Sequence, residues 1–216
     1  MPFLDWPKVA INPFFSMKKN MRKMMTLLLI SGSVIVCWIA LTVVAQMEGP
    51  EKLEVIESDR KINKALLVYN PDLFYNLDEQ VCESIAAGLL AEGWSSTIAT
   101  VAAAKKLNDT SFNLFVFCAN TYNWAPDRPT SAFIETHSGL KGKNVIAITL
   151  GSGSTKKAQQ QLEEKIREKE ARLLESRAFW LMRPNDPSRS DEQNVKVALE
   201  KAHSLGQRIA QVISNK

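Results

Sequence analysis

The sequence has little of what most catalytic and metal chemistry is built from. Its 216 residues include two histidines and three cysteines. Cys37, Cys82 and Cys118 form no Cys-x-x-Cys pair and no zinc-like spacing, so a metal ligand set is not expected. His137 and His203 each stand alone on stretches that read as helices, which fits surface or helix-end positions. There is no Gly-x-Ser-x-Gly elbow, no His-Glu-x-x-His pair, no phosphate loop ending in Lys-Ser/Thr and no Gly-x-Gly-x-x-Gly. No residue is put forward as catalytic. Internal repeats and low-complexity tracts are absent as well.

A general basic surface is also missing. The formal net charge is +4, but all of it lies in residues 1–23, where Lys8, Lys18, Lys19, Arg22 and Lys23 face only Asp5. Beyond that tail the two signs balance at 22 each. This excludes the cationic face that nucleic-acid binding needs.

The excess charge stands ahead of an apolar run. From Met24 to Met47 no residue is charged, and a helix of that length reaches about 36 Å, enough to cross a hydrocarbon core of about 30 Å. The run exceeds a signal-peptide core of roughly 7–15 residues, so it reads as a single-pass anchor. Val43-Val44-Ala45 leaves a cleaved signal peptide as the alternative. Lys18, Lys19, Arg22 and Lys23 precede the run, while Glu48, Glu51, Glu54 and Glu57 follow it. The positive-inside rule then places the N-terminus in the cytoplasm and the rest outside. The chain divides into a basic tail (1–23), a transmembrane helix (24–47), a charged stalk (48–64) and a folded domain (65–216).

The domain alternates strand and helix patterns. Ala65–Tyr69 is a short continuous apolar run, the signature of a strand buried on both faces, and Thr97–Val101, Leu114–Cys118, Val145–Leu150 and Phe179–Met182 are the other four strand candidates. Between them lie a helix with Val81, Ile85 and Leu89 on one side, a short helix over Thr130–His137, a long charged helix over Lys156–Ser176, and a last helix through Leu199, Leu205 and Ile209. Asn76 with Glu79, and Ser190 with Gln193, suggest capping boxes. Leu107–Ser111 allows only a short turn or helix. The expectation is an α/β fold: a doubly wound, five-stranded parallel sheet with helices on both faces. Cys82 and Cys118 fall on apolar stretches and read as buried thiols; nothing in their spacing argues for a disulfide. Asn108-Asp109-Thr110 is a glycosylation sequon, relevant only to a luminal domain in a eukaryotic host.

Ligands of such sheets sit beyond the carboxyl ends of the strands, where strand order reverses. Three loops qualify: Asn70 to Asn76, Ala119 to Pro129 and Gly151 to Thr155. The middle one carries Tyr122 and Trp124, which offer stacking faces to a flat heterocycle. Simpler readings stand beside this one: Tyr122 and Trp124 as plugs over the sheet edge, Ser154 as a helix N-cap, and Asp127 with Arg128 as a loop ion pair.

Five β/α units, the Thr121-Tyr122-Asn123-Trp124 loop, the Leu140-Lys141-Gly142-Lys143 lead into strand four and the Gly151-Ser152-Gly153 turn after it resemble the flavodoxin family over about residues 63–216. The resemblance implies the strand order 2-1-3-4-5, a bound flavin mononucleotide (FMN) and electron transfer with a redox partner protein or quinone at the membrane. It implies that Thr121, Tyr122, Asn123 and Trp124 flank the flavin ring and that Gly151, Ser152, Gly153 and Ser154 line its edge. The first loop departs from the family's Thr/Ser-x-Thr-Gly-x-Thr phosphate loop. Between Asn70 and Asn76 there is no glycine, serine or threonine, Pro71 lacks an N–H, and Asp72 repels a dianion. Asn70, Tyr75 and Asn76 are the residues left there to reach a phosphate. Two functions therefore remain open: a membrane-tethered flavin redox protein, or a flavodoxin-fold interaction or scaffold domain that no longer binds flavin.

Overall fold

Ala65, Leu67 and Tyr69 alternate with Leu66 and Val68, and all five are buried. Successive strand side chains point to opposite faces, so such a run needs cover on both sides. The computed structural model describes residues 13–60, 63–107 and 111–215 and supplies that cover. Its elements in chain order are α1 (Pro13–Ala45), β1 (Leu53–Ile56), β2 (Lys64–Tyr69), α2 (Leu77–Ala91), β3 (Ser95–Thr100), α3 (Val101–Ala104) and β4 (Leu114–Tyr122). Then come β5 (Ala125–Pro126), α4 (Arg128–Thr136), β6 (Asn144–Gly151), α5 (Lys156–Glu168), β7 (Arg172–Trp180) and α6 (Asn194–Ser214).

The sheet runs β1-β3-β2-β4-β6-β7. β3, β2, β4, β6 and β7 are mutually parallel, which is the expected 2-1-3-4-5 order. Ala65, Leu67, Val116, Ile146 and Ile148 face α2 and α6, meeting Val81, Ile85, Leu89, Leu205 and Ile209. Leu66, Val68, Phe115, Phe117 and Ala147 face the other layer, with Phe133, Ile134, Leu162 and Ile166. Gly93, at φ 86°, takes the left-handed turn after α2, where a glycine has no Cβ penalty.

The chain separates into two compact units, Met1–Val44 and Ala45–Lys216. Within α1 the stretch Met21–Ala45 has 25 residues and a mean hydropathy of 2.6, long and apolar enough to cross a membrane. Its side chains from Met21 to Leu41 are exposed.

Several boundaries differ from expectation. The 48–64 segment is more than a stalk, because Leu53–Ile56 pairs antiparallel with β3, Leu53 opposite Ala99 and Ile56 opposite Ser96. As an edge strand it leaves Leu53 and Val55 exposed, so its apolar residues carry no burial pattern to read. The charged helix α5 stops at Glu168, not Ser176, and β7 begins at Arg172. Glu170, at φ 55°, makes the break, and Leu173 pairs with Val145 across the sheet. Asn76 is the N-cap of α2 without capping through its side chain; instead its Oδ1 accepts from Gln80 Nε2 at 2.5 Å. Gln193, not Ser190, is the N-cap of α6, and Thr155, not Ser154, that of α5. The sequon falls on residues outside those described.

Cys82 and Cys118 are buried free thiols with their Sγ atoms 3.0 Å apart. Burial pushes the Cys82 thiol up, so it stays protonated. Both are expected to resist a water-soluble maleimide in the folded protein and to react only as fast as the domain opens. Labelling at the rate of a free thiol would contradict this.

Candidate functional site

The strand order reverses between β2 and β4, and the loops that leave their carboxyl ends meet there. Asn70, the first residue past β2, is buried. Its Oδ1 accepts from Gly49 N–H at 2.9 Å, and its Nδ2 donates to Met47 O at 3.1 Å. Asn120, near the end of β4, donates from Nδ2 to Asn70 O at 3.0 Å and to Asp78 Oδ2 at 2.8 Å. Its own N–H donates to Asp127 Oδ2 at 2.9 Å. Asp127 caps α4, accepting from Thr130 N–H at 2.8 Å.

The position suited to an anion, the start of α2 and the loop before it, is filled from within. Asp72 Oδ1 accepts from Phe74 N–H at 2.7 Å and Tyr75 N–H at 3.2 Å, and Asp72 Oδ2 from the Tyr122 hydroxyl at 2.5 Å. Asp78 Oδ2 accepts from Asp72 N–H at 2.9 Å, and Asp78 Oδ1 from Glu79 N–H at 2.8 Å. Two carboxylates thus use the backbone donors that would otherwise greet a phosphate.

Electrostatics sharpen the point. Burial pushes the Asp78 carboxyl up, against the bonds from Asn120, Glu79 and Asp72. Burial holds Asp127 up at about 7, against its bonds from Thr130 and Asn120 and with the Asp78 charge adding to the rise. Burial and the Asp72 carboxylate raise the Tyr122 phenol, which therefore remains a donor. Among the described residues the bonding partners of Asp72, Asp78 and Asp127 are an amide, a hydroxyl and backbone N–H groups, with no cation. A phosphate dianion brought here would lose hydration and meet three acidic side chains. The FMN phosphate does not fit this loop.

The ring end is different. A cleft of about 180 Å³ is lined by Tyr75, Thr121, Tyr122, Gly151 and Ser152 of the expected residues, together with Phe74 and Leu181. Among the described residues the Thr121 hydroxyl makes no hydrogen bond. Asn123 and Trp124 form the β4–β5 turn at φ 50° and 61°, the left-handed region that suits Asn and strains Trp. Trp124 is 62% exposed there, so only Tyr122 acts as a plug. Gly153 and Ser154 lie outside the cleft lining, as do Asn70 and Asn76. Arg128 is exposed at the first position of α4, while the Asp127 carboxylate is spent on backbone N–H groups, so the two form no loop ion pair.

Asp78 and Asn120 carry the site's polar network, and neither was expected. Asp78 had a signal: with Val81, Ile85 and Leu89 it falls on the apolar side of α2, where a carboxylate must find partners. Asn120 sits in a strand end and gave none.

No protein-family model and no curated protein matches the sequence. Solved structures do. A WrbA-like flavodoxin from Agrobacterium tumefaciens is similar at a TM-score of 0.54 and 14% identity, over 71% of this chain and 98% of that one. A flavodiiron protein from Giardia intestinalis is similar at 0.55 and 15%, over 68% of this chain but 35% of the other. A flavodiiron core from Synechocystis is similar at 0.50 and 14%, over 73% and 37%. At these identities the likeness establishes architecture: the fold is flavodoxin-like.

Proposed function

We propose that this chain is a flavodoxin-fold docking module tethered to a membrane by its N-terminal helix, with the carboxyl edge of its sheet as the working surface and without FMN as a resident cofactor. The observation that carries this reading is the occupation of the loop N–H groups by Asp72 and Asp78. The charge bias around the helix supports a cytoplasmic N-terminus and a domain on the far side.

A second reading has its own support. Exposed Trp124, the cleft beside Gly151 and the unpartnered Thr121 hydroxyl suit a flat ring, as an electron-transfer flavoprotein serving a redox protein or quinone would require. One titration separates the two. The full-length protein, purified in detergent, is expected to be colourless and to give no saturable quenching of FMN fluorescence up to high micromolar flavin. Stoichiometric yellow protein, or saturable FMN binding in the low micromolar range, would overturn the docking reading and establish the second.

A further inference from the structure

Beyond α1 and Met47, most of the large exposed apolar side chains among the described residues lie at the same sheet edge. Leu73 is 60% exposed, Phe74 68%, Tyr75 52%, Trp124 62% and Met182 76%. They form one rim. Phe74 and Tyr75 line the cleft with Ser152 and Leu181. Met182 N–H donates to Ser152 O at 3.1 Å. Tyr122, two residues before Trp124, bonds to Asp72 in the Phe74 loop. Soluble surfaces seldom gather aromatics this way without a partner.

The chain connection to α1 identifies what meets the rim. The Asn70 side chain grips Met47 and Gly49, so the first loop is tied to chain that follows the last residue of α1, Ala45, by two to four positions. Covalent reach alone, about 3.5 Å per residue, keeps this loop near the membrane end of an anchored helix. The acidic groups beside it are satisfied within the protein. Lys105 pairs with Glu48, Lys106 with Glu51, and Lys52 with Glu79, while Asp72 accepts its three bonds inward. Trp, Tyr and Phe are the side chains that settle at the headgroup level.

From this geometry we infer that Leu73, Phe74, Tyr75, Trp124 and Met182 seat the domain in the headgroup layer of the membrane that holds the anchor. The inference rests on the tethered docking reading and names the lipid surface as the docking partner. Because the tether makes contact intramolecular, even weak insertion of each side chain suffices.

The test uses the full-length chain carrying Cys37→Ala, with single cysteines introduced as Phe74→Cys, Trp124→Cys or Met182→Cys and, as a control at the far end of α5, Glu168→Cys. Each is spin-labelled and reconstituted into protein-free phosphatidylcholine–phosphatidylglycerol vesicles. Relaxation by oxygen, which enters lipid, is compared with relaxation by a water-soluble nickel chelate. Labels at 74, 124 and 182 are expected to lose chelate access several-fold relative to the label at 168 and to gain oxygen access. Equal chelate access at all four sites, in protein that still sediments with the vesicles after alkaline washing, would overturn this inference alone. Protein that washes off would overturn the tether as well. Chelate access at 74 and 124 that falls only when FMN is added would overturn both this inference and the FMN-free docking reading.

Discussion

Alanine at Gly206 is expected to destabilise the domain by about 3 kcal/mol, and valine there to leave it unfolded. Gly206 lies on α6 and Gly88 on α2, and each bare Cα faces the other helix's backbone. A Cβ on Gly206 would run into Ile85 O and come within 3.1 Å of Leu89 N. A Cβ on Gly88 would run into His203 O and come within 3.0 Å of Gln207 N. Backbone atoms cannot rotate aside as a side-chain end would. The helices would have to move apart, lifting Val81, Ile85, Leu205 and Ile209 off the sheet face they cover. Replacing glycine in a helix interior gains about 1 kcal/mol from propensity, which is smaller than the loss. Against a typical total of about 5–15 kcal/mol, 3 kcal/mol is a large share. The measurement is the urea midpoint of the full-length protein in detergent, followed by far-UV circular dichroism. Gly153→Ala is the control, since its Cβ would meet only Arg183 Cβ at 3.4 Å and should change stability by less than about 0.5 kcal/mol. Gly206→Ala within that same margin would show that the helix crossing is not the constraint described.

This crossing also shows where the sequence stops being legible. The parallel strands could be read because burial on both faces demands unbroken apolar runs, as in Leu114-Phe115-Val116-Phe117. The helix faces could be read because Val81, Ile85 and Leu89 keep the helical period. Gly88 and Gly206 could not, since their role depends on which two helices meet, and that is set by sheet topology. β1 was hidden for a related reason: an edge strand that leaves Leu53, Glu54 and Val55 all exposed shows no alternation and carries Glu54 without cost. The end of α5 was hidden because Leu173 continues the spacing of Leu162 and Ile166 while belonging to β7.

The loop after β2 was legible only by what it lacked. Its missing glycine and threonines and the presence of Pro71 and Asp72 argued against a phosphate. What took the phosphate's place depended on Asp78 and Asn120 converging from elements 42 residues apart. Long-range polar pairing of that kind leaves no periodic trace. The same convergence gives the edge two properties at once. The loop donors are used up internally, and the side chains freed of any ligand role, from Leu73 to Tyr75, stand outward.

The second large effect is a loss of stability as pH rises from about 4 to about 7. Asp127 is fully buried and its carboxyl is held up at about 7, against an ordinary value near 3.9 in the unfolded chain. The folded state therefore binds the proton more tightly than the unfolded one. Its contribution is complete below about pH 4 and disappears as pH passes through about 7. A difference of about 3 units corresponds to roughly 4 kcal/mol. Asp78 is shifted in the same direction by burial and adds to the slope. Near neutral pH Asp127 ionises beside Asn120, whose backbone N–H holds Asp127 and whose side chain holds Asp78. Asp127→Ser isolates the effect: a serine hydroxyl still caps α4 by accepting from Thr130 N–H, and it does not titrate in this range. Urea unfolding free energies of the parent and Asp127→Ser should differ by an amount that shifts by about 3–4 kcal/mol between pH 4.5 and pH 8 in favour of the variant. A difference that stays constant across that range would mean that Asp127 titrates alike in the folded and unfolded chain. Its two backbone bonds would then offset its burial in full, and Asp78 would be left to account for any slope that remains.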